Sequence, residues 1–324
     1  MKSILKVLLA ISALILLVAL PILLEALGLE GRALRAELAF LSMLFVWGIF
    51  ALSYNLLFGI TGLFSLAHAL FLGIGALAVG IATSRWDLGI WEALGLGLLS
   101  GAVLSALIGA VVVQVRGNQF IVITAAIALI GSLLVLYFSD WTGGISGIRL
   151  PRESFNLGFS DLTFLQREVA YWINLGFLIA VMILMSLLVR TPLGLAFKLV
   201  RENETKAELI GYQTKWLKGL SFTLSGSLAS LAGALTALTQ GSMDSTLFNW
   251  THSIDGLAWV VIGGAGTLFG PLLGMGILQA IDRYLADLIP ISSTLLSGIL
   301  LILFVILAPK GISGLAKKFF GRST

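Results

Sequence analysis

Apolar runs of about twenty residues, parted by short polar turns, recur along this sequence, and nothing else limits its fold so strongly. In lipid every backbone N–H and C=O has to be paired inside the protein, which leaves helices and closed barrels. Barrel strands need only about 9–11 residues, so runs of this length are helices. They cover residues 4–24, 38–58, 66–83, 91–113, 120–138, 169–189, 217–238 and 292–308. Residues 254–288 are also apolar but are interrupted by Gly263, Gly264, Gly266, Gly270 and Pro271. That pattern predicts a short or re-entrant segment followed by a helix from Leu268. Of 324 residues 58% are hydrophobic and 11% charged, against about 25% charged in a soluble domain. Residues 1–324 therefore read as one all-α, polytopic transmembrane bundle with about 8–10 crossings.

The charges give the chain a direction. Lys2 and Lys6 stand at the start of the first run, which is longer than a signal-peptide core and is followed by no A-x-A site, so it reads as an uncleaved helix. Residues 139–168 are nearly neutral, with Asp140, Glu153, Asp161 and Glu168 against Arg149, Arg152 and Arg167. The tail after Pro309 carries Lys310, Lys317, Lys318 and Arg322. Basic residues collect on the cytoplasmic side, which places both termini and the loop 190–218 inside and the loop 139–168 outside. The pI near 9.4 follows from these span-end charges and implies no nucleic-acid partner.

The loop 190–218, RTPLGLAFKLVRENETKAELIGYQTKWLK, is the longest polar stretch between two apolar runs. Its basic residues Arg190, Lys198, Arg201, Lys206, Lys215 and Lys218 outnumber Glu202, Glu204 and Glu208. Pro192 and Gly194 break the preceding helix. Asn203 or Thr205 caps a new one, Glu202 and Lys206 are spaced as a helical ion pair, and Gly211 ends it. A solvated connector needs none of this patterning; a capped helix with Ala207 at its centre suits insertion into a partner's groove.

Other chemistries find little support. There is no cysteine, and His68 and His252 are far apart, so no metal centre, cofactor or catalytic triad is implied. No G-x-x-x-x-G-K-[ST] occurs, so the chain does not cradle a nucleotide itself. An ion-coupled carrier would place carboxylates within its spans, whereas Asp255, Asp282 and Asp287 fall at edges. Two glycine-rich breaks, Gly59 with Gly62 and Gly263, Gly264 with Gly266, each precede a glycine-rich apolar helix. Interrupted segments in corresponding halves mark a translocation path at a repeat interface; close helix packing through small residues gives the same pattern. Asn55, Ser65 and His68 stand near the first break, with His68 read as a hydrogen-bonded packing residue, and Asp255 is a candidate cap for the second. Thr142, Gly143 and Gly144 form a tight outer loop.

These stretches together resemble the bacterial branched-chain amino acid ABC importer permeases of the LivM type. The resemblance rests on RTPLGLAFKLVRENE with AELIGY, on NLLFGITGLFSLAHALFLGIGA, WTGGISGI and SIDGLAWVVIGGAGTLFGPLLG, and on the C-terminal PKGISG. It implies a multi-pass protein of the bacterial cytoplasmic (inner) membrane with no enzymatic activity of its own. It implies cytoplasmic ABC ATPase subunits gripping a coupling helix at Arg201, Glu202, Glu204, Ala207, Glu208 and Gly211, a paralogous second permease, and an extracytoplasmic solute-binding protein facing the outer loop. Branched-chain amino acids are the implied substrate, with urea or another amide as the alternative.

Overall fold

Helix is the outcome the apolar runs dictate, and the computed structural model is built from little else. It describes residues 17–26, 28, 30–151, 155–156, 161–164 and 166–285, with positions 298, 299, 302, 311, 312 and 314. The expected span 4–24 enters this region only as α1 (Leu17–Ala26). The expected span 292–308 and the basic tail lie outside the described residues, apart from the isolated positions. Among the described residues six helices are long and apolar enough to cross a membrane.

The first is α2 (Gly31–Tyr54), continued by a π-helical turn at Asn55–Ile60. Then follow α3 (His68–Arg85), α4 (Ile90–Val112), α5 (Asn118–Tyr137) and α7 (Arg167–Arg190), with a one-turn helix α6 (Ser139–Thr142) between the last two. Two helices, α8 (Pro192–Glu202) and α9 (Glu204–Leu209), make up the charged loop before the sixth span, α10 (Thr214–Gln240). Two shorter helices, α11 (Thr251–Gly263) and α12 (Gly270–Leu285), close the described chain. They fold back on each other about Gly264–Gly266, the interruption expected from the glycines. Asp255 lies inside α11 and does not cap it. Among the described residues strand is confined to two-residue pairings: β1 (Ile148–Arg149) with β4 (Ser242–Met243), and β2 (Phe155–Asn156) with β3 (Asp161–Leu162).

The core is α10, sandwiched by α2, α3 and α4. Small residues let backbones touch: Gly75 of α3 packs on Ser230, and Gly233 of α10 on Leu72. Ser230 Oγ donates to the Gly97 carbonyl of α4 at 2.7 Å. By contrast α5 keeps Val122, Leu129, Ile130, Leu133 and Leu134 exposed, the surface expected where lipid is the solvent.

Helix directions define two ends. α2, α7 and α11 run toward the end that carries α8 and α9; α3, α5, α10 and α12 run away from it. At the far end Arg85 donates to the Asp140 carbonyl, and β1 pairs with β4.

Candidate functional site

The loop 190–218 holds more structure than the single helix its sequence predicts. Thr191 turns the chain out of α7 with ψ 162°, and its hydroxyl accepts from Gly194 N at 3.3 Å. Pro192 then opens α8 instead of merely ending α7, since a first-turn proline forfeits no helical hydrogen bond. Leu193, Ala196, Phe197 and Val200 recur at helical spacing, and the last three are buried. That i, i+3, i+4, i+7 stripe was legible and is the signal that identifies α8.

Asn203, one of the two expected caps, breaks the run with an extended backbone (φ −163°, ψ 102°). Its Oδ1 accepts from Lys206 N at 2.9 Å, a cap worth about 1 kcal/mol. Glu202 ends α8 and Lys206 belongs to α9, so the expected helical pair between them is not formed on one helix. Gly211 ends α9 as expected, with φ +95°. Its N–H reaches the Glu208 carbonyl, and Tyr212 N–H reaches that of Ala207, both at 3.0 Å. This is the Schellman arrangement, and it satisfies two orphan carbonyls.

Two cations fix α9 to the bundle. Lys218 of α10, with only 1% of its side chain exposed, places Nζ 2.7 Å from Glu204 Oε1. Arg116, in the turn between α4 and α5, lies 3.4 Å from Glu204 Oε1 and 2.5 Å from Glu208 Oε1. Glu204 Oε1 makes no directed hydrogen bond, so its hold is ionic. Thr214 Oγ1 donates to Glu208 Oε1 at 2.6 Å. That hydroxyl first, then Arg116, holds the Glu208 carboxyl below its ordinary range. Ala207 is buried against the bundle. The acidic face of α9 thus points inward. Leu209, Ile210 and Tyr212 point outward, with Leu209 82% and Ile210 66% exposed. This orientation is set by Arg116 and Lys218, outside the helix itself, so spacing within α9 does not show it.

The lowered Glu208 pKa carries a sign. A carboxyl depressed in the folded state contributes attachment above its ordinary pKa and loses it as pH falls through the depressed value. Hydrogen exchange of the α9 amides, corrected for intrinsic rate, should therefore rise on acidification below the ordinary carboxylate range. In Arg116→Ala it should already be raised at neutral pH. Exchange indifferent to both changes would show that Glu208 does not anchor the helix.

The two glycine breaks come together. Asn55 Nδ2 donates to the Thr267 carbonyl, and Asn55 Oδ1 accepts from Gly266 N, both at 2.9 Å. The Asn55 side chain thereby staples the π-helical turn to the turn between α11 and α12. Arg201 of α8 donates to the Gly59 carbonyl. Gly62 lies against Arg201, and Gly263 against Gly270. Gly264 (φ 112°) meets Gly311 of the PKGISG segment.

Non-helical backbone from Thr61 to Ala67 runs inside the bundle, where its polar groups need partners. Tyr54 Oη donates to the Ser65 carbonyl at 2.8 Å. Leu66 N donates to Thr124 Oγ1 at 3.2 Å, and Ser253 Oγ donates to the Leu66 carbonyl at 2.8 Å. Ser65 Oγ accepts from Ala67 N at 3.1 Å in the turn that leads into α3. Thr61 and Ser221 hydroxyls lie 2.6 Å apart.

His68 is fully buried among Phe50, Tyr54 and Phe71. Its Nε2 lies 2.7 Å from Ser225 Oγ, which itself donates to the Ser53 carbonyl at 2.6 Å. A hydroxyl has one proton, so Nε2 carries the hydrogen and Nδ1 is the bare acceptor. The hydrogen-bonded packing reading of His68 agrees with this. His252 is on α11 beside Trp47 and 3.7 Å from Asp255. Sequence reading missed a second buried polar knot: Asn174 Nδ2 donates to Ser42 Oγ at 2.8 Å and to Thr239 Oγ1 at 2.9 Å. Lone polar residues on three separate spans left no pattern to find.

At the far end Thr142 is buried and donates to the Val135 carbonyl at 2.5 Å, while Gly143 and Gly144 take φ +75° and +57°. These three form the clasp of the loop; Trp141 and Ile145 are its exposed part.

A family model described as branched-chain amino acid transport system / permease component matches residues 37–307. The chain is 28% identical over 301 residues to the high-affinity branched-chain amino acid transport system permease protein LivM of Salmonella typhimurium, covering 86% of this chain and 70% of that protein. Against the LivM of Escherichia coli it is 28% identical over 296 residues, covering 85% and 69%. The ribose import permease protein RbsC of Haemophilus influenzae is 26% identical over 226 residues, covering 65% and 66%. No solved structure matches the chain. Multi-pass helical architecture and sequence agree: this chain is a membrane transport subunit and belongs to the branched-chain amino acid transport system permease component family.

Proposed function

We propose that this chain is the permease subunit of an ATP-driven importer of branched-chain amino acids in the bacterial cytoplasmic membrane. Separate cytoplasmic ABC ATPase subunits dock on α9, a paralogous permease completes the path, and an extracytoplasmic solute-binding protein delivers at the loop bearing Trp141 and Ile145. The loop 190–218 and both termini then face the cytoplasm. The observation that carries the reading is α9 itself. A six-residue helix capped at both ends and tied down by Arg116 and Lys218 still presents Leu209 and Ile210 to the outside. A rigid lever with an apolar tip is what a partner groove can hold.

In this reading Glu204, Ala207 and Glu208 seat the lever, and Arg201 and Glu202 join it to α8. Leu209, Ile210 and Gly211 meet the ATPase. Gly59, Gly62, Gly263, Gly264 and Gly266 border the path, and Asn55, Ser65 and His68 brace its wall. Support for the substrate comes from the two LivM relatives. The RbsC relative, named for ribose import, favours a sugar-type solute as the second reading.

In proteoliposomes with the cognate subunits, radiolabelled leucine uptake should require an intact ATPase site and survive collapse of ion gradients. Ile210→Glu should cut ATPase co-purification about tenfold or more, the cost of burying one unpaired charge at an interface, while membrane insertion is unchanged. Uptake driven by an ion gradient, or undiminished co-purification, would refute the importer reading. Ribose taken up in place of leucine would replace the substrate.

A further inference from the structure

Segments remote in sequence meet at one point beneath α8. Gly266 has φ +80°, and a Cβ there would stand 2.7 Å from both Arg201 Nη1 and the Gly59 carbonyl oxygen. A Cβ on Gly62 (φ +82°) would stand 2.8 Å from Arg201 Cγ, and one on Gly59 would stand 2.6 Å from Gly266 N. The glycines leave room only for backbone and the side chains of Arg201 and Asn55.

Arginine suits this position for a stated reason. α2 and its π-helical turn form one 30-residue run, Gly31–Ile60. The N–H groups of Leu63 and Gly62 reach the Leu57 and Phe58 carbonyls, and the Gly59 carbonyl, at the negative end of the helix dipole, has no backbone donor among the described hydrogen bonds. Arg201 supplies a permanently charged donor to the Gly59 carbonyl. Among the described ion pairs Arg201 has no carboxylate partner, unlike Arg116. Its Nη1 is the donor to the seam. Only extended Asn203 and Glu202 separate Arg201 from α9.

We propose that Arg201 is a positioning residue that links the coupling loop to the glycine seam, a role that rests on the importer reading. Movement of α9 is carried through Asn203 to the end of α8. It shifts the guanidinium that fixes Gly59, and the π-helical turn and the Gly264–Gly266 turn part or close accordingly.

The test uses the full chain in nanodiscs and the assembled transporter in proteoliposomes. In Arg201→Gln, exchange of the Gly266 amide and of residues 59–64 should rise about tenfold, as expected for one lost charge-assisted hydrogen bond, with α10 amides unchanged. Complex yield and ATP hydrolysis should stay within about twofold while leucine uptake falls about tenfold, raising the ATP used per leucine. Arg201→Lys should recover part of the uptake, since an ammonium still offers a donor. Unchanged exchange or unchanged uptake overturns the proposal. So does a loss of hydrolysis or complex yield in step with uptake, which would mark a docking or folding role. A wild-type complex without ATP-dependent leucine uptake overturns the importer reading instead, and the exchange measurement then decides the seam alone.

Discussion

Replacing Lys218 by Met should release the coupling helix while leaving the spans in place. Lys218 is the buried half of the pair with Glu204, at 2.7 Å, with only 1% of its side chain exposed. Met keeps most of the volume and removes the charge. Glu204, itself 22% exposed, is left facing only Arg116 Nε at 3.4 Å. Removing one partner of a buried ion pair costs about 3–5 kcal/mol, mostly from the stranded charge. Exchange protection of α9 should fall by about two orders of magnitude or more, and the ATPase should no longer co-purify. Glu204→Gln should be comparably severe, because it strands the lysine. The double variant Lys218→Met with Glu204→Gln should recover much of the loss, since no buried charge then remains. Arg116→Ala should be the mildest, since that side chain is 52% exposed and water replaces what it supplies. Equal losses for Lys218→Met and Arg116→Ala would show that burial of the pair is not what holds the lever.

How much of this was legible follows from what each signal depends on. Span positions were, because hydropathy over twenty residues is a local property: the run expected at 91–113 is α4 (Ile90–Val112), and that at 169–189 is α7 (Arg167–Arg190). The caps of α9 were also local, and Asn203 and Gly211 perform them. Direction of the charges was not. Whether Glu208 faces a partner or its own bundle depends on Arg116, 92 residues away, and no spacing rule reaches that far. The same holds for Asn55, whose partners lie 211 and 212 residues away. The two breaks were visible as glycine clusters. That one amide side chain joins them, and that Arg201 closes them, required the fold.

The glycine-rich helices after the breaks admitted two readings, a path or close packing, and α3 is packed closely at a place where an added methyl group has nowhere to go. Gly75 rests on the Ser230 carbonyl, and three residues further along α10 and three residues back along α3 the relation is reciprocated by Gly233 on Leu72. A Cβ at either would stand 2.6 Å from the partner's carbonyl carbon. Backbone cannot rotate aside as a side chain can, so the helices must separate. Gly75→Ala and Gly233→Ala should each cost about 3 kcal/mol, the upper part of the overpacking range. Heat-induced aggregation in detergent should begin about 10 °C lower by size-exclusion chromatography. Gly176→Ala on α7 is the control, because nothing lies within 4 Å of its Cβ position, and it should be neutral or slightly stabilising. A Gly176→Ala variant as fragile as Gly233→Ala would mean that glycine content, not close approach, sets stability. The consequence also reaches the lever. α10 carries Gly233 in its packed half, Ser225 beneath His68 and Lys218 at the end that grips Glu204. A helix pushed off α3 should therefore loosen α9 as well, and raised α9 exchange in Gly233→Ala, far from the substituted atom, would show that packing and coupling share one rigid element.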